Sequence, residues 1–213
     1  MFNFEKFTNS ALYRYGDLLF KLILINLMVC MVSFLIVTLV PALVSGFECI
    51  KYYLEDREAP VVRHFFQTLK KNFKRHALLS LLTLSLGYFF LLMAHAYYVQ
   101  LGKGWFYTLG FGVMIFVLFA YLMLLVQLPM TCVYYPKLKM RDTLKVALYM
   151  GLKHPLQTIL SIVALAIPIL IYDYLLLLFG FVGVSLYIYL NYRLNRSAYV
   201  AIANRFEGER NHG

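Results

Sequence analysis

Among the polar side chains that interrupt the long apolar stretches of this chain are Asn26, Glu48, Lys51, His95 and Gln127. An ionisable group at membrane depth costs several kcal/mol, so it marks either a solute path or a partner inside the protein. Glu48 and Lys51 lie three apart on one helical face, a spacing that predicts neighbours offsetting each other's charge. Asn26 and Gln127 carry amides, which in apolar surroundings join helices by hydrogen bonds. His95, beside Tyr97, Tyr98 and Gln100, reads as bonded to a neighbouring helix or set at the outer interface. Together the five would line a small polar crevice in a transporter. In a packed bundle they would serve as glue, and packing is the expectation we carry forward.

The usual carriers of catalysis are missing from the sequence. It has no G-x-x-x-x-G-K-[ST] phosphate loop, no G-x-S-x-G elbow, no H-E-x-x-H and no Cys-x-x-Cys pair, so ATP hydrolysis, acyl transfer and zinc chemistry lack their ordinary motifs. A non-enzymatic protein without cofactor or bound metal is therefore expected. His64, His76 and His154 stand among cations and read as solvated or headgroup-facing imidazoles. Cys30, Cys49 and Cys132 show no ligand-like spacing and read as small buried hydrophobes. Tyr134, Tyr135 and the tyrosines at 187, 189 and 192 could be imagined as a sugar-stacking platform, but aromatic belts at a bilayer interface account for such residues without a ligand.

The elements that must hold these residues are membrane helices. Hydrophobic residues make up 62% of the 213 and the mean hydropathy is +0.72, far above a soluble domain. Apolar stretches cover roughly 18–50, 77–100, 105–136 and 156–192, and leave no room for a separate soluble domain. The whole chain, 1–213, reads as one integral membrane domain. The net charge of +10 sits in the gaps between apolar runs, where Lys and Arg meet anionic lipid headgroups and fix orientation; nucleic acid is not the expected partner. The first apolar run exceeds a signal-peptide core and reads as a retained anchor.

Leu101-Gly102-Lys103-Gly104 predicts a tight turn between two spans. Asp173 lies near the middle of the last stretch, and a turn at Tyr172-Asp173 would bring that carboxylate to water. Pro41 either starts a short helix that returns to the starting face or kinks one long first helix. The positive-inside count favours the return, because it leaves only Lys103 of the basic residues outside. The expected fold is thus an all-α polytopic bundle of five to six membrane segments in a cell membrane, with the C-terminus cytoplasmic.

Residues 60–75 predict a basic amphipathic helix lying at the interface. Val62, Phe65, Phe66, Leu69 and Phe73 recur at helical spacing, while Arg63, Lys70, Lys71, Asn72, Lys74 and Arg75 fill the remainder, and Pro60 suits the first turn. A cytoplasmic loop at about 134–155 repeats the pattern more weakly, with Met140, Leu144, Leu148 and Gly151 or Leu152 on one stripe.

Several of these pieces are similar to one family. Leu12-Tyr13-Arg14, Asn26-Leu27, the run Ser33 to Thr38, Arg63-His64-Phe65-Phe66 with Lys71-Asn72-Phe73-Lys74, and Tyr135-Pro136 with the helix from Leu144 to Pro155 resemble the YesL family of bacterial integral membrane proteins. The chain departs from that pattern at Leu35 and Leu39, with Pro41 displaced downstream. The family has no known biochemical activity. The resemblance implies an accessory role in carbohydrate uptake, beside an ABC importer or its sensor kinase. The segment from Arg141 to Lys153 lacks the Glu-Ala-Ala and downstream Gly pattern of a permease coupling helix, so the permease itself is not expected. The alternative is a small-solute transporter or channel.

Orientation is open to direct measurement. Reporters placed at residue 57 and after Gly213 should both register the cytoplasmic side, since both segments are rich in basic residues. A reporter ahead of Phe2 should do the same if the chain returns near Pro41, and a periplasmic signal there would exclude the return.

Overall fold

A computed structural model describes residues 11–55, 60–174 and 182–211. These residues are helical throughout, without strands: α1 is Ala11–Ser33, α2 Leu39–Leu54, α3 Val61–Lys71, α4 Phe73–Val99, α5 Trp105–Tyr134, α6 Met140–Lys153, α7 Pro155–Tyr174 and α8 Val184–Asn211. Among the described residues three helical stretches, Tyr15–Ser33, Phe73–Val99 and Trp105–Tyr134, are long and apolar enough to cross a membrane, or four if α6 with Pro155–Leu170, bent by 102°, forms one broken span. That is fewer full crossings than the five to six segments expected, because α2 has only 16 residues and α6 with α7 turns sharply.

The break between α1 and α2 falls ahead of Pro41. After Ser33 a single 3-10 turn at Ile36–Thr38 reverses the chain; the Thr38 hydroxyl donates to the Val32 carbonyl in the last turn of α1 and to the Leu35 carbonyl, which also accepts the Thr38 amide. The two helices then run back along each other: Gly46 lies against Ile25 and Val29, and the Lys21 ammonium sits 4.2 Å from the centre of the Tyr53 ring. A returning helix is therefore what forms, and a single kinked helix is not. Pro41 occupies the third position of α2, where its missing N–H removes one of the donors that a helix start leaves unbonded. The Val40 amide donates instead to Ser80 Oγ at 2.9 Å.

That bond also sets the depth of the hairpin. Ser80 lies one third of the way along α4, and the rest of α4 continues for about 28 Å at 1.5 Å per residue. Beyond the α1–α2 turn, α4 and α5 go on as a paired hairpin. The Tyr121 hydroxyl donates to the Thr83 carbonyl at 2.5 Å, and the rings of Tyr98 and Phe111 stand 5.8 Å apart. The hairpin closes as expected at Gly102, whose φ of +90° is open to glycine at little cost. Its outer half presents Leu91, Val99, Trp105, Phe106 and Phe116 outward, with Trp105 at 78% exposure.

Three expectations change here. The run 60–75 is two elements: α3 ends at Lys71, Asn72 breaks the helix with φ −136°, and Phe73, Lys74 and Arg75 open α4. Residues 140–153, expected as a weaker amphipathic repeat, form a helix folded back along α5, with Gly151 against Met123. Its buried stripe is Thr143, Ala147, Met150 and Gly151, one residue out of phase with much of the stripe expected. At the other end α7 stays helical through Tyr172 and Asp173 to Tyr174, so the chain does not turn at those two residues; 175–181 lie outside the described residues.

The start of α8 is bonded from another helix. Asn26 Oδ1, fully buried at mid-length of α1, accepts the amides of Val184 at 2.8 Å and Ser185 at 3.1 Å. Nearby, Gly46 comes so close to Ile188 that a Cβ would stand 2.8 Å from its Cδ1, which lets α1, α2 and α8 meet at one point. Replacing Asn26 by Leu should strand both amides and cost about 1–3 kcal/mol. Unfolding of the purified protein in mild detergent should show that loss, and His95→Leu should show none.

Candidate functional site

Two polar regions lie inside the protein, and they differ in whether their groups are satisfied. The first joins α5, α7 and α8. Gln127 Nε2 donates to Thr158 Oγ1 and to Asn195 Oδ1, both at 2.9 Å. Asn195 Nδ2 donates to Ser161 Oγ at 2.8 Å and Asn191 Oδ1 at 3.0 Å. Asn191 Nδ2 in turn reaches the Val126 carbonyl at 3.2 Å and the Tyr187 hydroxyl at 3.0 Å. Thr131 Oγ1 and the Tyr199 hydroxyl lie 2.8 Å apart, and that hydroxyl also contacts Gln127 Oε1 at 3.3 Å. Gln127, Thr131, Thr158, Ser161, Asn191 and Asn195 are all buried. Their donors and acceptors are turned on one another, the arrangement that fixes helix contacts where no water can substitute.

The second region is a cavity of about 240 Å³ where α2, α3, α4 and the end of α5 meet. Val44 and Glu48 of α2, His64, Gln67, Thr68 and Lys71 of α3, Asn72, His76 of α4, and Cys132, Val133 and Pro136 line it. The helical period explains the contribution of α3, because positions 64, 67, 68 and 71 make one stripe. Phe65 and Leu69 turn instead into the protein, Phe65 completely, while Val62, Phe66 and, at the start of α4, Phe73 remain on the outside. The apolar residues read from the sequence as one face thus divide between two. Three of the lining residues each hold a buried atom without a hydrogen-bond partner: Glu48 Oε2, His64 Nε2 and His76 Nε2. Burial lowers the His64 pKa below the usual imidazole value, and the Glu48 carboxylate opposes that in part. His64 is therefore neutral at pH 7.

The five residues singled out in the sequence do not form one crevice. Asn26 bonds the start of α8 and Gln127 anchors the satisfied network, so these two act as helix glue. Glu48 and Lys51 do not pair: the carboxylate lines the cavity, whereas the Lys51 ammonium lies 4.8 Å from the centre of the Tyr134 ring. Their helix directs them at different neighbours, α3 and α4 for one and the end of α5 for the other. His95 is exposed on the outer part of α4, away from both regions.

Of the basic interfacial residues, Arg63, Lys70, Lys71 and Lys74 are exposed. Arg75 is not a free headgroup ligand. Its guanidinium donates to the Pro136 carbonyl and, at 2.8 Å, to Thr143 Oγ1, which ties the start of α4 to α6. His64 and His76, expected from the sequence as solvated or headgroup-facing imidazoles, instead line the cavity with Glu48, and His76 is buried; the sequence did not show this because the three sit on different helices. The repeat of polar positions 64, 67, 68 and 71 inside an amphipathic helix was the available signal. Cys49 and Cys132 are buried as expected and Cys30 half-buried. Among the described residues no three His, Cys, Asp or Glu side chains are placed to hold a metal ion.

A family described as a protein of unknown function, DUF624, matches residues 19–94. The matched segment takes in Asn26, Glu48, all of α3, His76 and Ser80. No curated protein and no solved structure matches the chain.

If Gln127 and Asn195 act through one network, their substitutions must be coupled. Gln127→Leu and Asn195→Leu together should cost less than the sum of the single changes by about 0.5 kcal/mol or more. A double-mutant cycle on unfolding free energies in detergent measures this, and strict additivity would mean that the two amides act independently.

Proposed function

We propose that this protein is a non-enzymatic accessory or scaffold subunit of the bacterial cytoplasmic membrane, multi-pass and with its C-terminus in the cytoplasm. The observation that carries the reading is the state of the interior polar groups. A transporter needs polar groups facing a continuous path near midplane, with broken helices around it. Here the amides and hydroxyls joining α5, α7 and α8 are bonded to one another, and the helix starts at Val40 and Val184 are bonded by Ser80 and Asn26. Such bonding suits a rigid body that presents surfaces to others.

On the cytoplasmic side the surface offered is α3 with Arg63, Lys70, Lys71 and Lys74, whose attraction is to anionic headgroups. The protein partner in this reading follows the resemblance to the YesL family: a carbohydrate ABC importer, or the sensor kinase that accompanies one. The match to a family of unknown function is consistent with that resemblance and adds no activity to it. The transporter or channel alternative draws its support from the cavity at Glu48, where a carboxylate oxygen stands unpartnered.

The two readings part in a reconstituted system. Purified protein alone in proteoliposomes should take up neither sugars nor cations, while the same protein extracted gently from native membranes should carry importer subunits in fixed ratio. Uptake by the isolated protein that disappears in Glu48→Gln would replace the accessory reading with a transporter.

A further inference from the structure

We propose that the cavity between α2, α3 and α4 is a binding site for a zwitterionic group that carries a primary ammonium beside a phosphate, as in the headgroup of an aminophospholipid. This inference is independent of the accessory role above and concerns what the cavity itself holds. It begins with the mismatch inside it. His76 is 3% exposed and its Nε2 is unpartnered, as are Glu48 Oε2 and His64 Nε2. A buried polar atom left without a hydrogen bond costs about 1–3 kcal/mol, and more for a charged one. Three in one cavity ask for a ligand that supplies donors.

The charges define the class. Glu48 brings one negative charge to the wall, and Lys71 one positive charge to the exposed rim. With His64 neutral, a ligand matching both ends carries a cation for Glu48 and an anion for Lys71. A primary ammonium offers three N–H donors, to the carboxylate and to the lone pair of an imidazole. At the rim Lys71, with the Thr68 hydroxyl near it, suits a phosphate. A volume of about 240 Å³ is the liquid-water share of roughly eight water molecules, room enough for such a headgroup. A metal ion is the weaker candidate, given the absence of a three-ligand arrangement among the described residues.

The surroundings favour a lipid as the source. The helix that lines the cavity with His64 and Lys71 presents Val62 and Phe66 outward, and Phe73 follows beyond Asn72. Val62 and Phe66 lie on the face of α3 opposite the cavity stripe, so seating that face in the apolar part of a bilayer holds the cavity at headgroup depth. A quaternary ammonium has no N–H to donate, so a choline headgroup of the same charge must bind less well; this separates donor recognition from simple charge.

The test uses full-length protein in detergent, titrated with dihexanoyl phosphatidylethanolamine, phosphatidylcholine and phosphatidylglycerol below their micellar concentrations, and with free phosphoethanolamine. The ethanolamine lipid should bind about tenfold or more tighter than the choline lipid. Glu48→Gln, an isosteric change, should abolish that preference. Lys71→Gln, on an exposed residue that leaves the fold intact, should weaken the ethanolamine lipid severalfold. Equal binding of free phosphoethanolamine and the lipid would assign the site to a soluble zwitterion of the same chemistry; tighter binding of the lipid would assign it to the headgroup. Equal ethanolamine and choline binding, preference for the glycerol lipid, binding of zinc alone, or an undiminished preference in a folded Glu48→Gln would each overturn the proposal.

Discussion

A helix that starts inside a bilayer leaves its first amide donors with no water to bond, and each must find an acceptor in the protein. Two helices in this fold meet that constraint by borrowing a side chain from elsewhere. Asn26 Oδ1 takes the first amides of α8, and Ser80 Oγ takes the Val40 amide of α2. Pro41, the next residue after Val40, has no amide to satisfy. These contacts place the short α2 and the first residues of α8, and both the cavity and the interior network lie between the helices so placed.

Hydrogen bonds between membrane helices are individually modest, about 0.6 kcal/mol on average, because the unfolded helices in lipid find other partners. What they impose is geometry. A buried amide with its donors and acceptors used has one good arrangement, and the chain Thr158, Gln127, Asn195, Asn191 links α7, α5 and α8 in a single register. Arg75 performs a related task at the edge of the bundle, where it holds α4 against α6 through Thr143. Ser33, Arg75 and Gln157 also hold a buried atom without a hydrogen bond, but Glu48, His64 and His76 do so on the wall of one cavity, and clusters of that kind are where binding sites are found.

The sequence made the membrane class, the helical fold, the turn at Gly102 and the roles of Asn26 and Gln127 legible, because each follows from composition or from the cost of a polar group in an apolar stretch. It did not reveal where each charged side chain points. Glu48 and Lys51 share a helical face to within a turn, yet one meets α3 and α4 and the other Tyr134; that choice depends on neighbours remote in sequence. Periodicity also merged α3 with the start of α4, since Phe73 continues the spacing of Phe65, Phe66 and Leu69 across the break at Asn72. For 140–153 the weak amphipathic pattern suggested a surface helix, whereas small residues at Thr143, Ala147 and Gly151 let it pack along α5. Those residues gave the same signal in both settings.

The account rests on amides at helix starts being sealed within the protein, and hydrogen exchange reads their state without altering a residue. In lipid nanodiscs the backbone amides of Val40, Ala42 and Leu43 and those at 184–188 should be as strongly protected as those in the middle of α4. Exchange at the rate of a solvated helix end, with α4 still protected, would mean that water reaches these starts and that the bundle is open where the account has it closed.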